Sequence, residues 1–105
     1  MERVRGQLED ARLMVSLDRQ ADLREAAEEE LERACDLGWR ELAKVTPWGD
    51  TYEGFTPAGR SAQFERNYLW KDDVGQDICV EVTVFQPEAY EKGVKLTRVL
   101  TRAGR

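Results

Sequence analysis

The stretch that most constrains this chain runs from Asp77 to Gln86. Ile78, Val80, Val82 and Val84 alternate with Cys79, Glu81, Thr83 and Phe85. A two-residue period places one set of side chains on one face of a β-strand. The first 45 residues show no such sustained rhythm, and most of them follow a helical one. The chain therefore changes architecture once, near Thr46-Pro47-Trp48-Gly49. The expected fold is α+β, with two layers: a long helix over about residues 20–45 packs on a four-stranded antiparallel meander sheet. With 105 residues, a single domain is expected,, with 1–45 mainly helical and 48–105 forming the sheet.

Asp22 followed by Glu25 reads as a capping box that opens the helix. Leu23, Ala27, Leu31, Ala34, Cys35, Gly38, Leu42 and Val45 then recur three or four apart and form one apolar stripe,. Gly38 costs such a helix roughly 1 kcal/mol relative to alanine, and marks either a close approach to the sheet or a weak point. Pro47 ends the helix, because the residue before a proline is pushed out of the α region. Residues 1–17 fit two patterns. Leu8, Ala11 and Val15 suit a helix, whereas Ala11, Leu13, Val15 and Leu17 suit a strand. The residue types there favour a short preceding helix. A strand would change the order to β-α-β-β-β-β.

The four expected strands are Thr51–Thr56, Ala62–Trp70, Ile78–Gln86 and Val94–Thr101. Pro57-Ala58-Gly59 supplies a tight turn, since proline presets φ and glycine accepts a positive one. A polar loop covers 71–76, and Pro87 to Gly93 forms one helical turn closed by Gly93. Short connections between successive strands give an antiparallel meander.

Several kinds of chemistry are missing from the chain. It has no histidine, the commonest acid-base group near neutral pH. It has no CxxC pair and no glycine-rich phosphate loop. Asp72, Asp73 and Asp77 surround Gly75, but not in the spacing of a calcium-binding loop. We expect no enzyme activity, no cofactor and no metal. The net charge of −5 argues against binding nucleic-acid backbones, which takes an excess of Lys and Arg. No apolar run approaches the 18 residues of a membrane span, and the start has no secretory core. The expected setting is cytoplasmic, with Cys35 and Cys79 reduced.

Two arginines stand out. Suppose the second and third strands pair with Trp70 opposite Ile78, and the third and fourth with Val84 opposite Leu96. Arg66, Val82 and Arg98 then share one row of an otherwise apolar face, the two arginine backbones about 10 Å apart. Tyr68 and Trp70 would wall a concavity for a carboxylate or phosphate. A slip in either register separates the pair, and pairing with helix carboxylates such as Glu30 or Asp36 is the structural alternative. On the other face, Leu69 and Phe85 are candidate partner contacts, with Lys95 and Arg102 on the outermost strand.

The leading functional expectation is a non-catalytic interaction module acting through a protein partner or a homodimer. The second is a small anionic-ligand binder using Arg66 and Arg98. The third is an acidic nucleic-acid mimic displaying the run Glu28-Glu29-Glu30 with Glu25 and Glu32 beside it,.

Overall fold

The computed structural model describes the backbone of residues 2–102 and the side chains of residues 18–102. Helix α1 (Glu2–Cys35) is followed by a short helix α2 (Gly38–Ala43). Strands β1 (Trp48–Phe55), β2 (Ser61–Trp70) and β3 (Ile78–Phe85) come next, then a 3-10 segment (Pro87–Lys92) and strand β4 (Val94–Leu100). The strands form one sheet in the order β1-β2-β3-β4, every neighbouring pair antiparallel. This is the expected α+β arrangement of a helix on a four-stranded meander. No helix of the described residues is long and apolar enough to cross a membrane.

Two helical expectations need correction. The helix does not open at Asp22; α1 begins at Glu2 and passes through it, so no capping box exists there. Residues 2–17 are helical, as their residue types favour, but they continue into α1 instead of forming a separate short helix. The apolar stripe expected at Leu8, Ala11 and Val15 lies outside the described side chains. At 34 residues α1 is about 51 Å long,, longer than any strand it covers, and the molecule measures 63 × 24 × 20 Å.

The long helix is also broken. It ends at Cys35, and Gly38 takes φ +78, a left-handed conformation that costs other residues about 1–2 kcal/mol. A side chain built at Gly38 would meet no atom within 4 Å. The glycine is there for the turn and not for a close approach to the sheet. The turn lets α2 bury Leu42 completely while Val45 stays 49% exposed, so the apolar stripe ends three residues earlier than its spacing implies. Thr46 closes the segment by donating from Oγ1 to the Leu42 carbonyl at 2.7 Å.

The core follows directly from the two periods. Leu23, Ala26, Ala27, Leu31 and Ala34 from α1 pack over Phe64, Tyr68, Ile78, Val80, Val82 and Val84. All four even-numbered apolar residues of β3 are fully buried. Three alanines on the helix face keep its backbone close to the sheet. Val80 and Val82 therefore lose water without needing large partners above them.

The β1–β2 connection is tied to the helix. Gly59 has φ +87, as the Pro-Ala-Gly turn predicts. Asp22, buried in mid-helix, accepts hydrogen bonds from the Thr56 hydroxyl at 2.5 Å and from the Ala58 amide at 3.0 Å. It also accepts one from the Arg60 guanidinium at 3.3 Å.

Candidate functional site

The β2–β3 register is the expected one: Trp70 lies opposite Ile78, Tyr68 opposite Val80 and Arg66 opposite Val82. The β3–β4 register is not. Val84 pairs with Val94, Val82 with Leu96 and Val80 with Arg98. The fourth strand is thus shifted by two residues, which preserves its faces but moves Arg98 out of the row of Arg66. Gly93 explains the shift. A Cβ there would sit 2.7 Å from the Phe85 Cβ and 3.0 Å from the Val84 carbonyl oxygen. Its absence lets the chain turn tightly and begin pairing at once with Val84. The two arginines do not converge.

Arg66 is engaged on every side. Its Nε donates to Asp50 Oδ1 at 3.0 Å and its Nη2 to Asp50 Oδ2 at 2.8 Å, a bidentate fork. Its Nε also lies 3.6 Å from Glu30 Oε2. The guanidinium carbon sits 5.5 Å from the Trp48 ring centre and 5.4 Å from that of Tyr52, close enough for cation–π attraction from both. Each ring rests on a second one. Trp48 stacks on Tyr68 at 5.5 Å and Tyr52 on Phe64 at 5.2 Å. Hydrogen bonding to Asp50 raises the Arg66 pKa further above its ordinary value, so the group is charged at any ordinary pH.

Glu30 closes the cluster from the helix. Its side chain is only 2% exposed. It accepts from the Tyr52 hydroxyl at 2.6 Å and from Arg33 Nη2 at 2.7 Å. Two carboxylates and two guanidiniums thus neutralise one another, and no buried side-chain polar atom among the described residues lacks a partner. Burial, then the hydrogen bond to Glu30, pushes the Tyr52 pKa up to about 12. In an unfolded chain tyrosine ionises near pH 10. The folded value is the higher one, so Tyr52's contribution is complete below about pH 10 and lost as pH rises towards about 12. Tyr52→Phe is expected to flatten the fall in stability over that window, read from urea unfolding at about pH 9 and about pH 11.5. Equal losses in both proteins would overturn the assignment.

The other candidate residues are dispersed. Tyr68 is buried against Trp48, whereas Trp70, the next residue on the same face of β2, packs 6.5 Å from Trp39. Arg98 is exposed and lies beside Cys35, opposing the rise that burial gives that thiol's pKa. On the outer face, Leu69 lies opposite Cys79 and Cys79 opposite Val99, with Leu69 41% and Val99 38% exposed. Phe85 meets Tyr90 edge-on at 4.6 Å. Lys95 Nζ lies 3.5 Å from Glu81. Arg102 donates to the Gly75 carbonyl at 3.0 Å and lies over the Trp39 ring. In the acidic run, Glu28, Glu29 and Glu32 are exposed, whereas Glu30 turns inward.

Sequence reasoning gave Asp22 the role of a helix cap and missed Trp48, Asp50 and Tyr52. The Pro57-Ala58-Gly59 turn could have found the last three. It sets Phe55 opposite Ser61, and counting back along both strands places Asp50 opposite Arg66. Beginning the first strand at Thr51 left Asp50 just outside it. No family model, curated protein or solved structure matches the chain, so function must be argued from these residues.

Proposed function

We propose that the chain is a non-catalytic interaction module that binds a protein partner through the side of the sheet left open by the helix. The observation that carries this reading is the apolar row Leu69–Cys79–Val99. It crosses three strands of a face that α1 does not cover, and it reaches the β4 edge with two of its three side chains substantially exposed. Leu69 and Val99 have no α1 residue to pack on, so a partner is the natural source of burial. Apolar rows of this kind, rimmed by polar groups, mark interaction surfaces more often than isolated exposed residues do. Here the rim is Asn67, Glu81 and Thr97, one row further along the strands.

The anion-binding alternative has less support. The fork of Arg66 that would recognise a carboxylate already holds Asp50, and Arg98 stands in a different row. The acidic-mimic alternative loses the centre of its charge run, because Glu30 is buried.

A tagged chain expressed in its native host is expected to recover a stoichiometric companion. Changing Leu69→Asp and Val99→Asp together should abolish recovery while leaving the far-UV circular dichroism unchanged. Undiminished recovery by the folded double variant would overturn the reading, as would a solitary monomer.

A further inference from the structure

We propose that the free edge of β4 receives an extended acidic peptide as an added antiparallel strand, one apolar side chain of which seats in the groove beside Trp39. This rests on the interaction-module reading and assigns it a partner chemistry. β4 borders the sheet, so the main-chain groups of every second residue point away from β3. Its pairing with β3 is continuous from Val94 to Leu100, with no proline in it. Strand addition draws affinity from such main-chain groups and specificity from adjoining pockets.

A pocket adjoins it. Val99, Leu100 and Thr101 at the end of β4 face Leu37, Gly38 and Trp39 across a groove of about 550 Å³. That volume is ample for a leucine or an aromatic side chain. Leu37, on its rim, is 65% exposed. The groove shares Val99 with the apolar row of the outer face, so the two surfaces are continuous around the edge.

Charge selects the occupant. The chain carries net charge −5, yet no acidic residue occurs from Lys92 to Arg102. Lys95 and Arg98 lie on the edge strand, and Arg40 lines the groove. The opposite edge, β1, carries Asp50 and Glu53 and no basic residue. An acidic segment complements the β4 edge, whereas a second copy of β4 would add its own Lys95 and Arg98 and no acidic residue from Lys92 to Arg102 to offset them,.

The test is a displayed library of random ten-residue peptides selected on the full chain and counter-selected on the Lys95→Glu/Arg98→Glu variant. Both side chains are exposed, and circular dichroism verifies that the variant folds. Enriched peptides are expected to be rich in Asp and Glu around one bulky apolar residue. The best of them should bind the variant at least tenfold more weakly, with Lys95→Gln/Arg98→Gln in between. Bound peptide should slow amide exchange at alternate residues of β4. Enrichment of neutral or basic peptides, no enrichment, or protection confined to β1 would each overturn the proposal. So would a peptide-free dimer with β4 amides already protected, because a second copy would then be the occupant. A native companion lost on the Leu69→Asp/Val99→Asp change but indifferent to Lys95→Glu/Arg98→Glu would remove this proposal alone and keep the module. Absence of any companion would remove the broader reading.

Discussion

Glu30→Ala is expected to lower the unfolding free energy by about 3 kcal/mol, seen as a lower urea midpoint at an unchanged slope. Removing one partner of a buried ion pair typically costs about 3–5 kcal/mol. The lower end applies here for two reasons. Arg66 keeps its fork on Asp50, and Arg33, 62% exposed, can turn to water. What remains is the lost acceptor for the Tyr52 hydroxyl and the void left by a side chain that is 2% exposed. Two further variants separate these contributions. Glu30→Gln keeps the volume and an acceptor but not the charge, and should cost about half as much. Glu30→Leu fills the space without hydrogen bonding. If leucine matches wild type, the network adds little stability beyond its volume, which is a documented outcome when buried ion pairs are replaced by apolar residues.

Leu42→Ala is expected to cost about 3 kcal/mol, within the range of about 2–5 found for fully buried leucines. Leu42 is 0% exposed and is the only side chain of α2 that is fully buried. The short helix depends on it, because six residues are far too few for a stable helix without tertiary contacts. Amide exchange in residues 38–46 should therefore quicken more than in β3. A loss under about 1 kcal/mol, or exchange that quickens uniformly, would mean that α2 is held by something other than this contact.

The fold was legible because its two periods are strong. Ile78 to Val84 alternate in sequence, and the burial follows with the single exception of Thr83, an outward position that is also buried. Gly59 and Pro57 placed the first hairpin, and Trp70 opposite Ile78 followed from a short polar loop between two long strands. The remaining errors have physical sources. Asp22 looks like a helix start because aspartate caps helices, but the same carboxylate also satisfies the donors of a packed turn, and only the tertiary contact to Thr56 decides between the two. Glu30 is rightly expected as a carboxylate that can hold an arginine, and it lies 3.6 Å from Arg66. The error lies in grouping it with the solvated run as well, since one residue beyond exposed Glu29 it turns about 100° round the helix and comes over Tyr52. The β4 register depended on how much backbone one glycine spares. Nothing in a single sequence reports the 2.7 Å approach at Gly93.

The spacing of the two buried helix carboxylates has a consequence of its own. Asp22 and Glu30 are eight residues apart on one edge of α1, about 12 Å along the axis, and each reaches a different part of the first hairpin. Between and beside them lie Ala26, Ala27 and Ala34, with Leu23 and Leu31 as the large apolar side chains of the same face. The leucines resist a slip by their packing, but an apolar pocket accepts a displaced apolar side chain far more readily than a carboxylate accepts the loss of its donors. A slip of one turn would move each carboxylate about 5.4 Å from its donors. The acids therefore act as two registration pins beside the leucines, helping to set both the rotation and the axial position of the helix.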